Sequence, residues 1–192
     1  MNYILILISA VLVNNFVMAR FLGLCPFIGV STKYSSSLGM GLAVIFVMTM
    51  SGSATWFLDR FILIPLNLGF LKTIVFILVI ATLVQLVEMI IKKSAPLLYD
   101  ALGIYLPLIS TNCAVLGVTL INIDAGYSLL ENIVHSAGGG IGFTLALIIL
   151  STIRERLEYA PIPECFKGAP IAFISAGLVS LAFLGFSGLP VK

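Results

Sequence analysis

Three cysteines, Cys25, Cys113 and Cys165, are the side chains of this 192-residue chain best suited to chemistry, and two of them sit in matching surroundings. Cys25-Pro-Phe-Ile-Gly29-Val30-Ser31 and Cys113-Ala-Val-Leu-Gly117-Val118-Thr119 share a C-x-x-x-G-V-[S/T] pattern at an offset of 88 residues (113 minus 25). A lone cysteine in an apolar helix is ordinarily a small apolar filler. Two at equivalent points of a repeat could instead form a disulfide or ligate a soft metal, since calcium or magnesium would want oxygen ligands that these segments lack. A closed zinc site or a [2Fe–2S] cluster takes four protein ligands, so two thiolates are half of what is needed. Cys165 is a poor third ligand: it lies in Pro161-Ile-Pro-Glu164-Cys165-Phe-Lys167, a polar connection, and reads as a free loop thiol. If the pair binds metal, the missing ligands come from a second polypeptide with the same two cysteines, most simply a paralogue.

The elements that must position this pair are membrane helices. With 60% hydrophobic and 9% charged residues and a mean hydropathy of +1.20, the chain lies outside the composition of a soluble domain. Six segments have the roughly 20 apolar residues needed to cross a hydrocarbon core: Tyr3 to Val30, Gly39 to Leu58, Leu71 to Ile91, Ala101 to Ile121, Ile133 to Ile153 and Pro170 to Leu189. The connections are short, which makes residues 1–192 one membrane domain, and no basic region precedes the first apolar run as a cleavable signal would require. Lys33, Lys92, Lys93, Arg154, Arg156, Lys167 and Arg20 fall on one side of such an arrangement, against Arg60, Lys72 and Lys192 on the other. Seven basic residues against three make the first side cytoplasmic and put both termini outside. The scattered basic residues form no nucleic-acid surface.

Six spans with one repeated motif read as three plus three, with copies at about 1–91 and 92–192. An odd number of spans per copy forces the second to enter the membrane from the opposite face, giving an all-α fold of two inverted repeats. Cys25 is eight residues from Lys33 and Cys113 nine from Asn122, on the order of 12 to 14 Å of helix, so both thiols belong near mid-depth. The spans that carry them are poor continuous helices. Gly23 and Pro26 are expected to break the first, with Pro26 pushing Cys25 out of the α region, and Pro107 with Ser110-Thr111-Asn112 to break the fourth. Broken helices at equivalent points of inverted halves mark a midplane site.

Other polar residues at depth are Asn14, Asn15, Gln85, Glu88 and Asn112, which should face protein or a cavity. Glu88 has Lys92 at i+4, the spacing of an ion pair at a helix end. The single His135, one turn after Glu131, is expected at an external helix start as an interfacial residue. Gly52 and Gly138-Gly-Gly140 should let helices approach closely. No Ser/His/Asp set, phosphate loop or metalloprotease helix is present, so the chain is not a self-contained enzyme. Two other classes share some of these features. An inverted-repeat secondary transporter would place a substrate at Asn14, Asn15 and Asn112, and an interaction scaffold would leave the cysteines inert.

One resemblance covers nearly the whole chain. Val13-Asn14-Asn15-Phe16, Phe21-Leu-Gly-Leu-Cys25-Pro-Phe, Leu63-Ile-Pro-Leu-Asn67, Leu106-Pro-Leu-Ile-Ser-Thr-Asn112-Cys113-Ala-Val-Leu-Gly117, Ile153-Arg-Glu-Arg156-Leu and Gly177 to Gly188 together resemble the membrane subunits of the Rnf-type family. In that family stand the A-type subunit of the bacterial Rnf (Rsx) ion-translocating electron-transport complex and the E-type subunit of the sodium-pumping NADH:quinone oxidoreductase. The resemblance implies a six-helix subunit of the bacterial inner membrane that pairs with an inverted paralogue, the Rnf E-type subunit, beside the B, C, D and G subunits. It further implies one [2Fe–2S] cluster at mid-membrane, with Cys25 and Cys113 as two of its ligands and two more from the paralogue. Such a cluster would relay electrons in a complex coupling ferredoxin and NAD⁺ oxidoreduction to Na⁺ or H⁺ transport. Cys165 matches no ligand position.

Overall fold

The computed structural model describes residues 3–13, 15–32, 34–66, 69–94 and 106–185. Among them every regular element is helical. The first apolar segment is broken: α1 (Tyr3–Ile8) runs into a π-helical turn (Ser9–Val13), and α2 (Phe16–Arg20) and α3 (Leu24–Val30) follow as separate pieces. Next comes α4 (Tyr34–Leu58), which continues as a π-helical turn to Leu63, and then α5 (Lys72–Ser94) after a 3₁₀ turn. A second broken apolar segment is α6 (Leu106–Ser110) and α7 (Cys113–Asp124), followed by α8 (Leu129–Glu158) and α9 (Ala169–Leu184).

Three stretches, Tyr34–Leu63, Gly69–Ile90 and Leu129–Glu158, are long and apolar enough to cross a membrane, and Tyr3–Val13, Leu108–Asp124 and Ala169–Leu184 are shorter apolar helices. Two of the long ones exceed their expected bounds. α4 starts at Tyr34 rather than Gly39 because Ser35, Ser36 and Ser37 continue the helix, with the Ser37 hydroxyl donating to Val30 O. α8 starts at Leu129 rather than Ile133 because Ser128 and Glu131 close a capping box, with Ser128 N–H donating to the Glu131 carboxylate at 3.0 Å. At 1.5 Å per residue, each 30-residue stretch is about 45 Å long and must tilt or protrude from a core of about 30 Å.

α4 and α8 form the spine. Gly52 lies against Ser136, Ile45 against Gly140 and Gly41 against Thr144, an order that runs down one helix and up the other, so the pair is antiparallel. A Cβ on Gly140 would stand 2.7 Å from Ile45 Cα, so only glycine permits this approach of the two backbones. The expectation for Gly52 and Gly138-Gly-Gly140 is met, since Ala10 and Leu7 pack on Gly138 and Phe16 on Gly139. Around the spine lies a core containing Phe16, Phe27, Met40, Met48, Phe76, Phe143, Leu147 and Leu150, all buried. α5 buries a single stripe, Phe76, Ile80, Val84 and Val87, and exposes Ile74, Ile77, Leu78, Leu86, Met89 and Ile90. Such an outward apolar surface suits lipid or a neighbouring membrane chain.

Candidate functional site

Both cysteine segments owe their shape to polar caps. Asn15 is fully buried, and its Oδ1 accepts from Val17 N and Met18 N at the start of α2 while its Nδ2 donates to Gly142 O at 2.8 Å. α2 ends where Phe21 adopts the left-handed conformation (φ 55°), with Leu22 N bonding back to Phe16 O at 3.0 Å. Two residues on, Gly23 is also left-handed (φ 82°), and the chain re-enters a helix as α3. In the other broken segment Asn112 caps α7, its Oδ1 accepting from Ala114 N at 3.0 Å.

These breaks meet. Gly23 N–H donates to Cys113 Sγ at 2.8 Å, tying the turn before Cys25 to the first residue of α7. Gly23 has no room for a side chain: a Cβ would stand 2.9 Å from Asn112 Oδ1, 2.9 Å from Phe143 Cε2 and 3.0 Å from Ala114 Cβ. Gly117 lies against Leu22 in the same contact. Cys25 and Cys113 are free thiols, unbridged, and both are exposed although Pro26, Phe27, Asn112 and Ala114 beside them are buried. Both thiols are thus accessible at the surface of the chain. Among the described residues no group of three or more His, Cys, Asp or Glu side chains could hold a metal ion. At the two breaks the described residues present two free thiols, Cys25 and Cys113.

Pro26 does not break the helix at Cys25. Cys25 and Pro26 are the second and third residues of α3, where a proline lacks only an N–H that a helix start leaves unpaired in any case. The break falls at Phe21 to Gly23, at the expected Gly23 and with the left-handed Phe21 beside it. In the other segment the interruption falls after Pro107, at Thr111-Asn112, between α6 and α7. Cys165 lies in the 3₁₀ turn Glu164–Phe166, exposed, between α8 and α9 and apart from the pair, as expected.

His135, near the start of α8, is buried within the chain: Nδ1–H donates to Asn122 Oδ1 at 2.5 Å, and the ring meets Phe16 and Tyr127 edge-on at centroid distances of 5.7 and 5.4 Å. Asn122 Nδ2 donates to Asn132 Oδ1 and to Ser136 Oγ, and Asn132 Nδ2 donates to Gly52 O at 2.7 Å. This network pins the end of α7 to α8 and α4, and Glu131 serves the Ser128 cap instead of His135. Gln85 is exposed, off the buried stripe of α5, and Glu88 is half-buried. Asn14 lies outside the described residues. Asn15 and Asn112 work as helix caps through their Oδ1 atoms, and Asn112 Nδ2 is buried without a hydrogen-bond partner. A cleft of about 790 Å³ lies elsewhere, lined by Tyr34, Ser35, Arg154, Glu158, Tyr159 and Lys167 among others.

Fold and site together define a multi-helix membrane subunit with an exposed thiol pair at two helix breaks. A family described as "Rnf-Nqr subunit, membrane protein" matches residues 3–190, and the chain belongs to it. It is 60% identical over 188 residues, 98% of this chain and 97% of the relative, to a protein of Syntrophotalea carbinolica named as the A-type subunit of an ion-translocating oxidoreductase complex. Identity is 58% over 189 residues, 98% of each chain, to the corresponding A-type subunit of the Na⁺-translocating ferredoxin:NAD⁺ oxidoreductase complex of Acetobacterium woodii. To the A-type subunit of the ion-translocating oxidoreductase complex of Escherichia coli it is 54% over 188 residues, 98% of this chain and 97% of the relative.

Proposed function

We propose that this chain is the electron-carrying membrane subunit of a redox-driven ion translocase of the ferredoxin:NAD⁺ oxidoreductase type, and that Cys25 and Cys113 supply two of the four ligands of an intramembrane [2Fe–2S] cluster. The observation that carries the reading is the meeting of two helix breaks at an exposed cysteine pair, joined by the Gly23 N–H···Sγ bond. The donor set fits the group: two soft thiols face outward, and a paralogous subunit with the same pair would complete four. When bound, the cluster supplies a one-electron station. The residues of this chain join the turn before Cys25 to Cys113 through Gly23, pack Asn112, Phe143 and Ala114 around that glycine, and direct one amide hydrogen at a ligand sulfur, a contact that stabilises added negative charge.

Mid-membrane placement has a physical reason. A hydrocarbon core of about 30 Å is too wide for a single electron hop, and a station at half depth divides it. The same reading takes the fold as six spans in two inverted repeats in the bacterial inner membrane, both termini outside, beside the E-type paralogue and the B, C, D and G subunits. In vesicles carrying the whole complex, Cys25→Ser and Cys113→Ser should each abolish electron transfer from reduced ferredoxin to NAD⁺, whereas Cys165→Ser should leave it intact. Full activity in both ligand variants would refute the proposal.

A further inference from the structure

Cys25 rides on a helix of only seven residues, Leu24–Val30, too short to be stable by itself. It is therefore held where it is by what touches it. Its body is fixed by the buried side chains Pro26, Phe27 and Val30, and its leading end by the Gly23 amide on Cys113 Sγ. Its trailing end is held by a residue distant in sequence. Arg154, near the end of α8, donates from Nη1 to Ile28 O at 2.7 Å and to Ser31 Oγ at 2.8 Å.

Ile28 O is one of the last four carbonyls of α3, which an ending helix leaves without an intrahelical partner. A cation there satisfies the carbonyl and opposes the negative end of the helix dipole. Both acceptors are neutral, so the contact is no ion pair, and the guanidinium delivers its charge to the helix itself. Ile28 is three residues beyond Cys25, about 4.5 Å along the axis. A tilt of α3 at its trailing end therefore moves Cys25 at the other.

We propose that Arg154 is a positioning residue for Cys25: by holding the trailing end of α3 it sets the separation and orientation of the Cys25 and Cys113 thiols. The proposal rests on the cluster reading for its functional consequence, but thiol geometry can be measured without iron. One arm uses the chain solubilised without its partners, its Cys165→Ser form carrying only the two relevant cysteines. The rate of bridging Cys25 to Cys113 by a short bis-maleimide is compared between Arg154, Arg154→Lys and Arg154→Gln. The second arm uses the assembled complex and records the EPR signal and midpoint potential of the two-iron centre in the same variants.

Arg154→Gln should change the bridging rate several-fold, broaden the EPR signal and shift the potential to more negative values with iron retained. Arg154→Lys, which keeps the charge and can reach one acceptor, should lie between. If Arg154→Gln fails to accumulate, Ser31→Ala removes one of the two acceptors and should alter the bridging rate in the same direction to a smaller extent. Unchanged bridging in the variants overturns the positioning role. A complex that contains no two-iron signal even with Arg154 intact overturns the cluster reading instead, while the bridging arm still decides the role of Arg154.

Discussion

Gly23→Ala perturbs the site at one atom. The added methyl enters a residue at φ 82°, a conformation that costs a non-glycine residue roughly 1 kcal/mol or somewhat more. It also meets Asn112 Oδ1, Phe143 Cε2 and Ala114 Cβ at 2.9, 2.9 and 3.0 Å. Two of these are poorly able to yield, since Asn112 Oδ1 is engaged with Ala114 N and Ala114 Cβ is set by the backbone of α7. Overpacking of this kind costs about 1–3 kcal/mol, and the sum is about 2–4 kcal/mol. Gly29→Ala is the control: it lies in α3, at the repeat equivalent of Gly117, and a Cβ there meets nothing within 4 Å. It should stabilise the isolated chain by about 0.5–1 kcal/mol. Gly117→Ala should fall between, because the atom it meets at 2.7 Å is Leu22 Cδ1, the end of a flexible side chain. Unfolding of the chain in mild detergent, titrated with SDS and followed by helical circular dichroism, orders the three. Equal midpoints for Gly23→Ala and Gly29→Ala would falsify the close-contact account of this turn.

Asn122→Ala removes the hub shared by His135, Asn132 and Ser136 and leaves the buried His135 Nδ1–H without its acceptor, while Asn132 and Ser136 keep their bond to each other, so it should cost about 1–3 kcal/mol by the same titration. Lys72 and Asp124 pair at 2.6 Å, but the Asp124 side chain is 72% exposed; Asp124→Asn should cost less than about 1 kcal/mol, and less still in high salt. A membrane-impermeant maleimide should label Cys165 in inside-out vesicles and leave it unlabelled in spheroplasts, a direct check on the orientation drawn from seven basic residues against three.

How much of the molecule is legible in its sequence depends on the range of the interaction. Helical class and apolar spans follow from composition, and the cysteine pair from its repeated motif. The glycines of Gly138-Gly-Gly140 announce a close helix contact because nothing else explains three in succession. The position of the first break follows in part: Gly23 makes the turn as expected, but together with the left-handed Phe21, and Pro26 is harmless in the first turn of α3. His135 reads as interfacial because Glu131, one turn away, suggests a wet helix end. Ser128-Leu-Leu-Glu131 is a capping box, the one local signal that Glu131 is engaged elsewhere. The partners of His135 come from α7 and α8 folding together, and no local pattern announces Asn122. Arg154 reads only as a cytoplasmic charge, since its contact with Ile28 spans 126 residues.

The central claim is that this chain supplies half of a metal site. Metal analysis and EPR of the chain purified together with its paralogue test it directly. About two irons per pair and a rhombic signal on one-electron reduction are expected, both lost in Cys25→Ser and in Cys113→Ser and kept in Cys165→Ser. A pair that contains no iron, or that keeps its iron and its signal without Cys25 and Cys113, would contradict the account.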